Sequence, residues 1–379
     1  MRRPNHGGNL AWAAALAGCS PSFILDFSAS INPLGPPKSA IAAIESQLKD
    51  LIAYPDPSYH QLRASLCQLH PNLTPDWVLP GNGSAELLTW ACRELSELEG
   101  TAIVTPAFSD YQRALKAFDA KVWEYPLTDF GLSIAKRDAI AHILDLRLPI
   151  QNPSCAESAP KVQPKIHNRS GLLLNNPHNP TGQLFEREAI LPLIKQFALV
   201  VVDEAFMDFL PPDQQQSLIP MVQDYPNLVI LRSLTKFYSL PGLRLGYGVA
   251  HPDRLQRWQQ WRDPWPVNVL AAAAAVAVVQ DTEFQQQTWD WLSPARSQLF
   301  QGLESLPGLQ PYPSAANFLL VQSEQPSSQL QEKLLKHSRI LIRDCLSFPE
   351  LGDRYFRVAI RTQADNQRLL EGLDAILRT

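Results

Sequence analysis

The sequence predicts an α/β protein with a large domain on a mostly parallel central sheet and a smaller α+β domain after it. Short apolar runs alternate with helix-length segments through the middle of the chain, the pattern that βαβ units produce. Beyond Pro264-Trp265-Pro266 the order changes to long helices followed by strands. A chain of 379 residues also exceeds what one core usually takes up, so two domains are expected.

Taken in order, residues 1–50 are expected to form an N-terminal arm joining the small domain, 51–264 the large domain, and 265–379 the small one. Candidate strands of the large domain are Thr101–Val104, Gly171–Leu174, Ala198–Val202, Leu228–Leu231 and Leu245–Val249. Ser109–Phe118 and Arg187–Phe197 have the length of crossover helices, as parallel pairing requires. In the tail, strands are expected near Asn317–Val321, Ile340–Arg343 and Tyr355–Ile360, followed by a helix with Leu369, Leu370, Leu373, Ile376 and Leu377 on one face. Gln151–Ser170 is rich in proline, serine and charge without periodicity, which predicts a solvated insertion.

A net charge of −4 supplies no broad basic field, so neither nucleic acid nor an anionic membrane is expected as partner. The five cysteines are scattered without C-x-x-C spacing, which fits a reduced cytoplasm and no structural metal. Arg2 and Arg3 before the apolar Leu10–Ala17 and Gly18-Cys19 have the outline of a lipoprotein signal. Residues Pro4 to Asn9 interrupt that outline, and an amphipathic helix is expected instead. Val269–Val279 is too short to span a bilayer and predicts a buried helix.

Four separated segments carry chemistry. Arg232-Ser233-Leu234-Thr235-Lys236, followed by Pro241-Gly242-Leu243-Arg244, places a lysine directly after a strand. Such an amine can bond a carbonyl carbon while its hydroxyl and guanidinium neighbours hold a phosphate. Asp203 ends the apolar strand Ala198–Val202, where α/β sheets bind ligands, and a carboxylate in that position calls for a cationic partner. Asn175-Asn176-Pro177-His178-Asn179-Pro180-Thr181-Gly182 is a rigid loop able to hold the amide of Asn179 against a ring oxygen. Pro80-Gly81-Asn82-Gly83-Ser84-Ala85-Glu86 opens a helix whose free N–H groups can cradle a phosphate.

Together these segments resemble those of the fold-type I pyridoxal-phosphate enzymes, with likeness along nearly the whole chain. The resemblance implies an aspartate aminotransferase-like fold, pyridoxal 5'-phosphate as cofactor, and a homodimer with shared active sites. It implies that Lys236 bonds the cofactor, Asp203 pairs with its pyridine nitrogen, and Asn179 bonds its ring hydroxyl. Ser84, Ala85, Ser233 and Arg244 would bind the cofactor phosphate, with Tyr54 reaching over from the neighbouring subunit. Phe108 would stack on the ring and Arg357 would hold the substrate carboxylate.

Within that superfamily the chain most resembles the cobalamin-biosynthetic L-threonine-O-3-phosphate decarboxylases, and next the histidinol-phosphate aminotransferases. His6-Gly7-Gly8-Asn9 and the stretch from Asp26 to Gly35 are similar to the decarboxylase opening. This implies substrate-phosphate contacts from His6, Gly8 and Asn32. Phe206 stands where the aminotransferases usually have tyrosine, and the strands around Arg343 and Arg357 resemble those of the decarboxylases. The implied product is (R)-1-amino-2-propanol O-2-phosphate. Arg357 and Arg343 holding the carboxylate perpendicular to the cofactor ring would favour loss of carbon dioxide, whereas their holding it in the plane would favour transamination. Sensor-type regulators share this fold but add a basic helix-turn-helix domain, for which the segment before the fold is too short.

Overall fold

The computed structural model describes residues 3–127 and 168–378. Its centre is a seven-stranded sheet in the spatial order Val78–Asn82, Leu245–Ala250, Leu228–Ser233, Leu199–Asp203, Gly171–Asn175, Thr101–Thr105 and Val122–Pro126. The five strands from Leu228–Ser233 to Val122–Pro126 pair in parallel, and Leu245–Ala250 runs antiparallel to both its neighbours. Side chains alternate between two buried faces. Val200, Val202 and Ile230 join one core cluster, while Val201, Val229 and Leu231 join the other with Leu87, Leu95 and Trp258. Helices on both faces explain why these strands read as unbroken apolar runs.

Pro80-Gly81-Asn82 differs from expectation because it is the end of a strand rather than part of the turn. Proline is tolerated there because Val78–Asn82 is an edge strand, paired only with Leu245–Ala250. The helix begins at Ser84. Of the insertion expected at Gln151–Ser170, residues 151–167 lie outside the described residues.

A four-stranded antiparallel sheet follows, ordered Arg343–Asp344, Tyr355–Ala359, Phe318–Ser323 and Leu309–Pro311. The single strand expected at Ile340–Arg343 is two short ones broken at Ile342. Ile340–Leu341 pairs in parallel with Leu25–Asp26, and Arg343–Asp344 pairs with Tyr355–Ala359. This register sets Arg343 directly opposite Arg357.

The N-terminal helix Leu10–Ala17 is capped by Asn9 and ended by Gly18 at φ 64, a left-handed conformation that glycine takes without strain. Its Ala13 and Ala14 pack against Leu335 and Leu341. Arg3 adds an ion pair to Asp344 at 3.4 Å, so the arm is fastened to the edge of the second sheet at Arg3 and to Leu335 and Leu341 at its helix. Val269–Val278 is a helix that buries Ala271, Ala274, Ala275 and Val278. Among the described residues no helix is long and apolar enough to cross a membrane.

Candidate active site

The ends of the parallel strands and the second sheet enclose a cavity of about 330 Å³, the size of a small-molecule site. Lys236 enters it from a single helical turn, Leu234–Phe237, that directly continues the strand Leu228–Ser233. The main chain at Lys236 is pinned by Asn32, whose N–H donates to the Lys236 carbonyl at 3.1 Å. Burial, then the cations of Arg357 and Arg244, push the Lys236 amine down to about 8, and Asp203 opposes them. A neutral amine is therefore within reach near neutrality, as a carbonyl nucleophile needs.

Asp203 ends the strand Leu199–Asp203 and is 8 % exposed. Its Oδ2 accepts from the Tyr111 hydroxyl at 2.8 Å and its Oδ1 from the Ala205 N–H at 3.1 Å. Burial raises the carboxyl, against these two bonds and the charge of Lys236. A cation brought into the cavity would relieve that penalty, and a protonated pyridine is such a cation.

Ser84, Ala85, Ser233 and Arg244 converge at one end of the cavity. Ser84 and Ala85 begin the helix Ser84–Leu95, so their N–H groups are without helical acceptors. Two glycines permit this convergence. A Cβ on Gly83, at φ 76, would lie 2.7 Å from Arg244 Nη2, and one on Gly246 would lie 2.5 Å from the Ser84 nitrogen. The Ser233 hydroxyl shares a 2.8 Å hydrogen bond with Thr235. Hydroxyls, a helix start and a guanidinium together match a phosphate dianion.

Phe108 caps the helix Ser109–Lys116 and lines the cavity. Asn179 is locked by its N–H, which donates to Asn175 Oδ1, while Asn175 Nδ2 donates to the Asp203 carbonyl at 3.0 Å. Arg357 donates to Asn179 Oδ1. Phe206 lies edge-on to Phe318 with ring centres 5.1 Å apart, and it brings no hydroxyl to this wall.

Arg357, also on the cavity wall, stacks over Phe318 at 4.8 Å and donates to the Ser28 carbonyl at 3.3 Å. Its buried Nε finds no acceptor among the described residues. Burial, then the charge of Arg343, lower it to about 10. Arg343 donates to the carbonyls of Pro4 (3.3 Å) and Asn5 and to Ser347 Oγ at 2.6 Å, tying the arm to the cavity wall. His6 follows, 5.9 Å from the Phe108 ring. An unsatisfied guanidinium donor, neighbouring another arginine, asks for an anion.

Twelve residues expected at the site line the cavity: His6, Ser84, Ala85, Phe108, Asn179, Asp203, Phe206, Ser233, Lys236, Arg244, Arg343 and Arg357. Three do not. The Asn32 amide is spent on the Phe237 carbonyl at 2.8 Å and Thr288 Oγ1 at 2.9 Å, so its role here is to fasten the main chain beside Lys236. The Gly8 N–H donates to Ser28 Oγ at 2.8 Å, and it is Gly7 that faces the cavity. Tyr54 is 78 % exposed and stacks on Trp265 with centres 4.4 Å apart. Tyr111 was missing from the expected set, although it lies one helical turn beyond Phe108, where the spacing puts both on one face.

This donor set fits pyridoxal phosphate at each of its functional groups: an amine for the aldehyde, a carboxylate for the ring nitrogen, an amide for the ring hydroxyl, and a dianion cradle. Comparison with known proteins agrees. The chain is 39% identical over 380 residues to the threonine-phosphate decarboxylase of Salmonella typhimurium, covering 98% of this chain and 96% of that one. It is 34% identical to a histidinol-phosphate aminotransferase of Symbiobacterium thermophilum, covering 91% and 88%. The structure of the histidinol-phosphate aminotransferase from Clostridium acetobutylicum superposes with a TM-score of 0.80 at 27% identity, covering 94% of this chain and 99% of the other. Residues 23–373 match the family described as aminotransferase class I and II. The chain therefore belongs to the class I and II aminotransferase family.

Proposed function

We propose that the protein catalyses the pyridoxal-phosphate-dependent decarboxylation of L-threonine O-3-phosphate, a step of cobalamin biosynthesis. The observation that carries this reading is the pair of facing arginines, one with a free buried donor and the other gripping the arm. Threonine phosphate presents two anions close together, a carboxylate on Cα and a phosphate on the neighbouring oxygen. Histidinol phosphate has no carboxylate for Arg357. The 39%-identical relative supports the same choice.

Bound pyridoxal phosphate supplies an electrophilic carbon for the substrate amine and a ring that accepts the electron pair released at Cα. Asp203 holds the ring nitrogen protonated, which favours that acceptance. Ser84, Ala85, Ser233 and Arg244 hold the cofactor phosphate, Asn179 the ring hydroxyl and Phe108 the ring face. Arg357 orients the carboxylate so that the bond from Cα to the carboxyl carbon breaks and carbon dioxide leaves. Arg343, His6 and Gly7 of the arm hold the substrate phosphate and shield it from water. Lys236, poised near 8, returns a proton to Cα.

The working unit in this reading is a cytoplasmic homodimer, with neither nucleic acid nor membrane as partner. Tyr54 of each subunit contributes to the other's phosphate cradle. Its exposure supports this, as do the apolar Leu48, Leu51 and Ile52 exposed nearby at 51, 58 and 96 %. The division into an arm (1–50), a cofactor-binding domain (51–264) and a small domain (265–379) accompanies it, supported by the two sheets. A mixture of inactive Lys236→Ala and Tyr54→Phe proteins should regain activity in hybrid dimers. A monomer in sedimentation with full activity would overturn the shared site. For the reaction itself, phosphorus NMR should show threonine phosphate converted to aminopropanol phosphate without added oxo acid. An absolute requirement for an oxo acid would mean transamination instead.

A further inference from the structure

We infer that Tyr111 is a positioning residue for the reaction, its phenol O–H anchoring one oxygen of Asp203 and keeping that carboxylate ionised against the ring nitrogen. The inference rests on pyridoxal phosphate occupying this cavity. Tyr111 Oη donates to Oδ2 at 2.8 Å and the Ala205 N–H donates to Oδ1 at 3.1 Å. Each carboxylate oxygen thus has one protein donor and keeps a lone pair for the N–H of the ring.

Asp203 and Tyr111 are both buried, so this carboxylate has little water to stabilise its charge. Among the influences that oppose its burial, the bond from Tyr111 comes first, ahead of Ala205 and Lys236, while Asp110 acts the other way. The phenol itself is held well above its ordinary range by burial and by the charge of Asp203, with Cys92 and Asp110 adding to the effect. It stays protonated and can only donate to the carboxylate. Without that bond Asp203 becomes the stronger base, and the proton it shares with the ring moves from the nitrogen to the carboxylate oxygen. The ring then loses the positive charge that makes it an electron acceptor. The local sequence enforces this placement. Phe108 caps the helix and Tyr111 stands one turn later, with their rings edge-on at 5.6 Å, so one helix start serves both the ring face and the carboxylate.

The test uses the holoenzyme carrying Tyr111→Phe, loaded with cofactor labelled at the ring nitrogen. Losing one hydrogen bond to a buried charge is expected to weaken cofactor binding about tenfold to a hundredfold. The nitrogen resonance should move toward the unprotonated position. A ring-fluorinated tyrosine at the same position keeps the shape and donates more strongly, so its resonance should move the opposite way. An unchanged resonance and unchanged affinity in both variants would overturn the role, whatever happens to the stability of the apo-protein. Failure of the parent protein to bind pyridoxal phosphate would strike the cofactor assignment instead.

Discussion

Replacing Arg357 with lysine keeps the positive charge and removes the planar fork. The guanidinium spends one terminal nitrogen on Asn179 and the other on the Ser28 carbonyl at 3.3 Å, and it lies over Phe318 at 4.8 Å. Nε finds no acceptor among the described residues. A lysine ammonium is a point donor on a flexible stem and cannot satisfy Asn179 and Ser28 while presenting an edge to a carboxylate. Losing one hydrogen bond between charged partners costs ~1.5–3 kcal/mol. In kcat/KM for threonine phosphate that is a fall of about tenfold to 150-fold. Cofactor affinity should change far less, because the lysine keeps the positive charge that acts on Lys236 and Arg357 otherwise reaches the cofactor through Asn179. Initial rates against substrate concentration, with a cofactor titration of the same variant, make the measurement. A kcat/KM within about threefold of the parent, or an equal loss in cofactor affinity, would refute the carboxylate role.

Capture of pyridoxal phosphate by the apo-protein should rise with pH and level off above about 8, because the Lys236 amine is held there rather than at 10.5. The charged form is the one the fold penalises, so the contribution of this lysine to apo-protein stability falls as pH drops from 10.5 toward 8. Arg357→Gln should raise the midpoint by removing a repelling cation, and a profile still climbing at 10.5 would contradict the assignment. Gly7→Ala puts a Cβ 2.2 Å from the Ser28 carbonyl oxygen, so the arm must move. Its KM for threonine phosphate should rise several-fold with cofactor affinity unchanged, and an unchanged KM would separate the arm from the substrate. Arg232→Met strands the buried carboxylate of Glu204 (3.0 Å from Nε) and the half-buried one of Asp208. Urea unfolding should show a loss of about 3–5 kcal/mol, and a loss under about 1 would mean the carboxylates neutralise cheaply.

The fold was most legible where burial is two-sided. Strands such as Leu199–Asp203 and Leu228–Ser233 are apolar at nearly every position because helices cover both faces, and no alternation is needed to find them. Val78–Asn82 was hidden because Pro80 and Gly81 are turn residues by local preference, and only an edge position makes them acceptable in a strand. Leu25–Asp26 and Leu309–Pro311 are too short to carry any period. At the site, residues inside compact motifs were readable because strand ends present them in order. Asn32 entered the expected set through the resemblance of the stretch from Asp26 to Gly35, and the partners its amide takes here, Phe237 and Thr288, are more than 200 positions away in sequence. Separation in sequence also hid the bond from Tyr111 to Asp203, 92 positions apart, since the spacing from Phe108 gives the face of Tyr111 but not its partner.

Release of labelled carbon dioxide from carboxyl-labelled threonine phosphate, followed beside glutamate formation from histidinol phosphate and 2-oxoglutarate, tests the proposed activity most directly. The cavity, with Arg357 unsatisfied and Arg343 opposite it, predicts release of label in step with substrate loss and little glutamate. Rapid glutamate formation with the label retained would make the protein an aminotransferase and contradict the decarboxylase assignment.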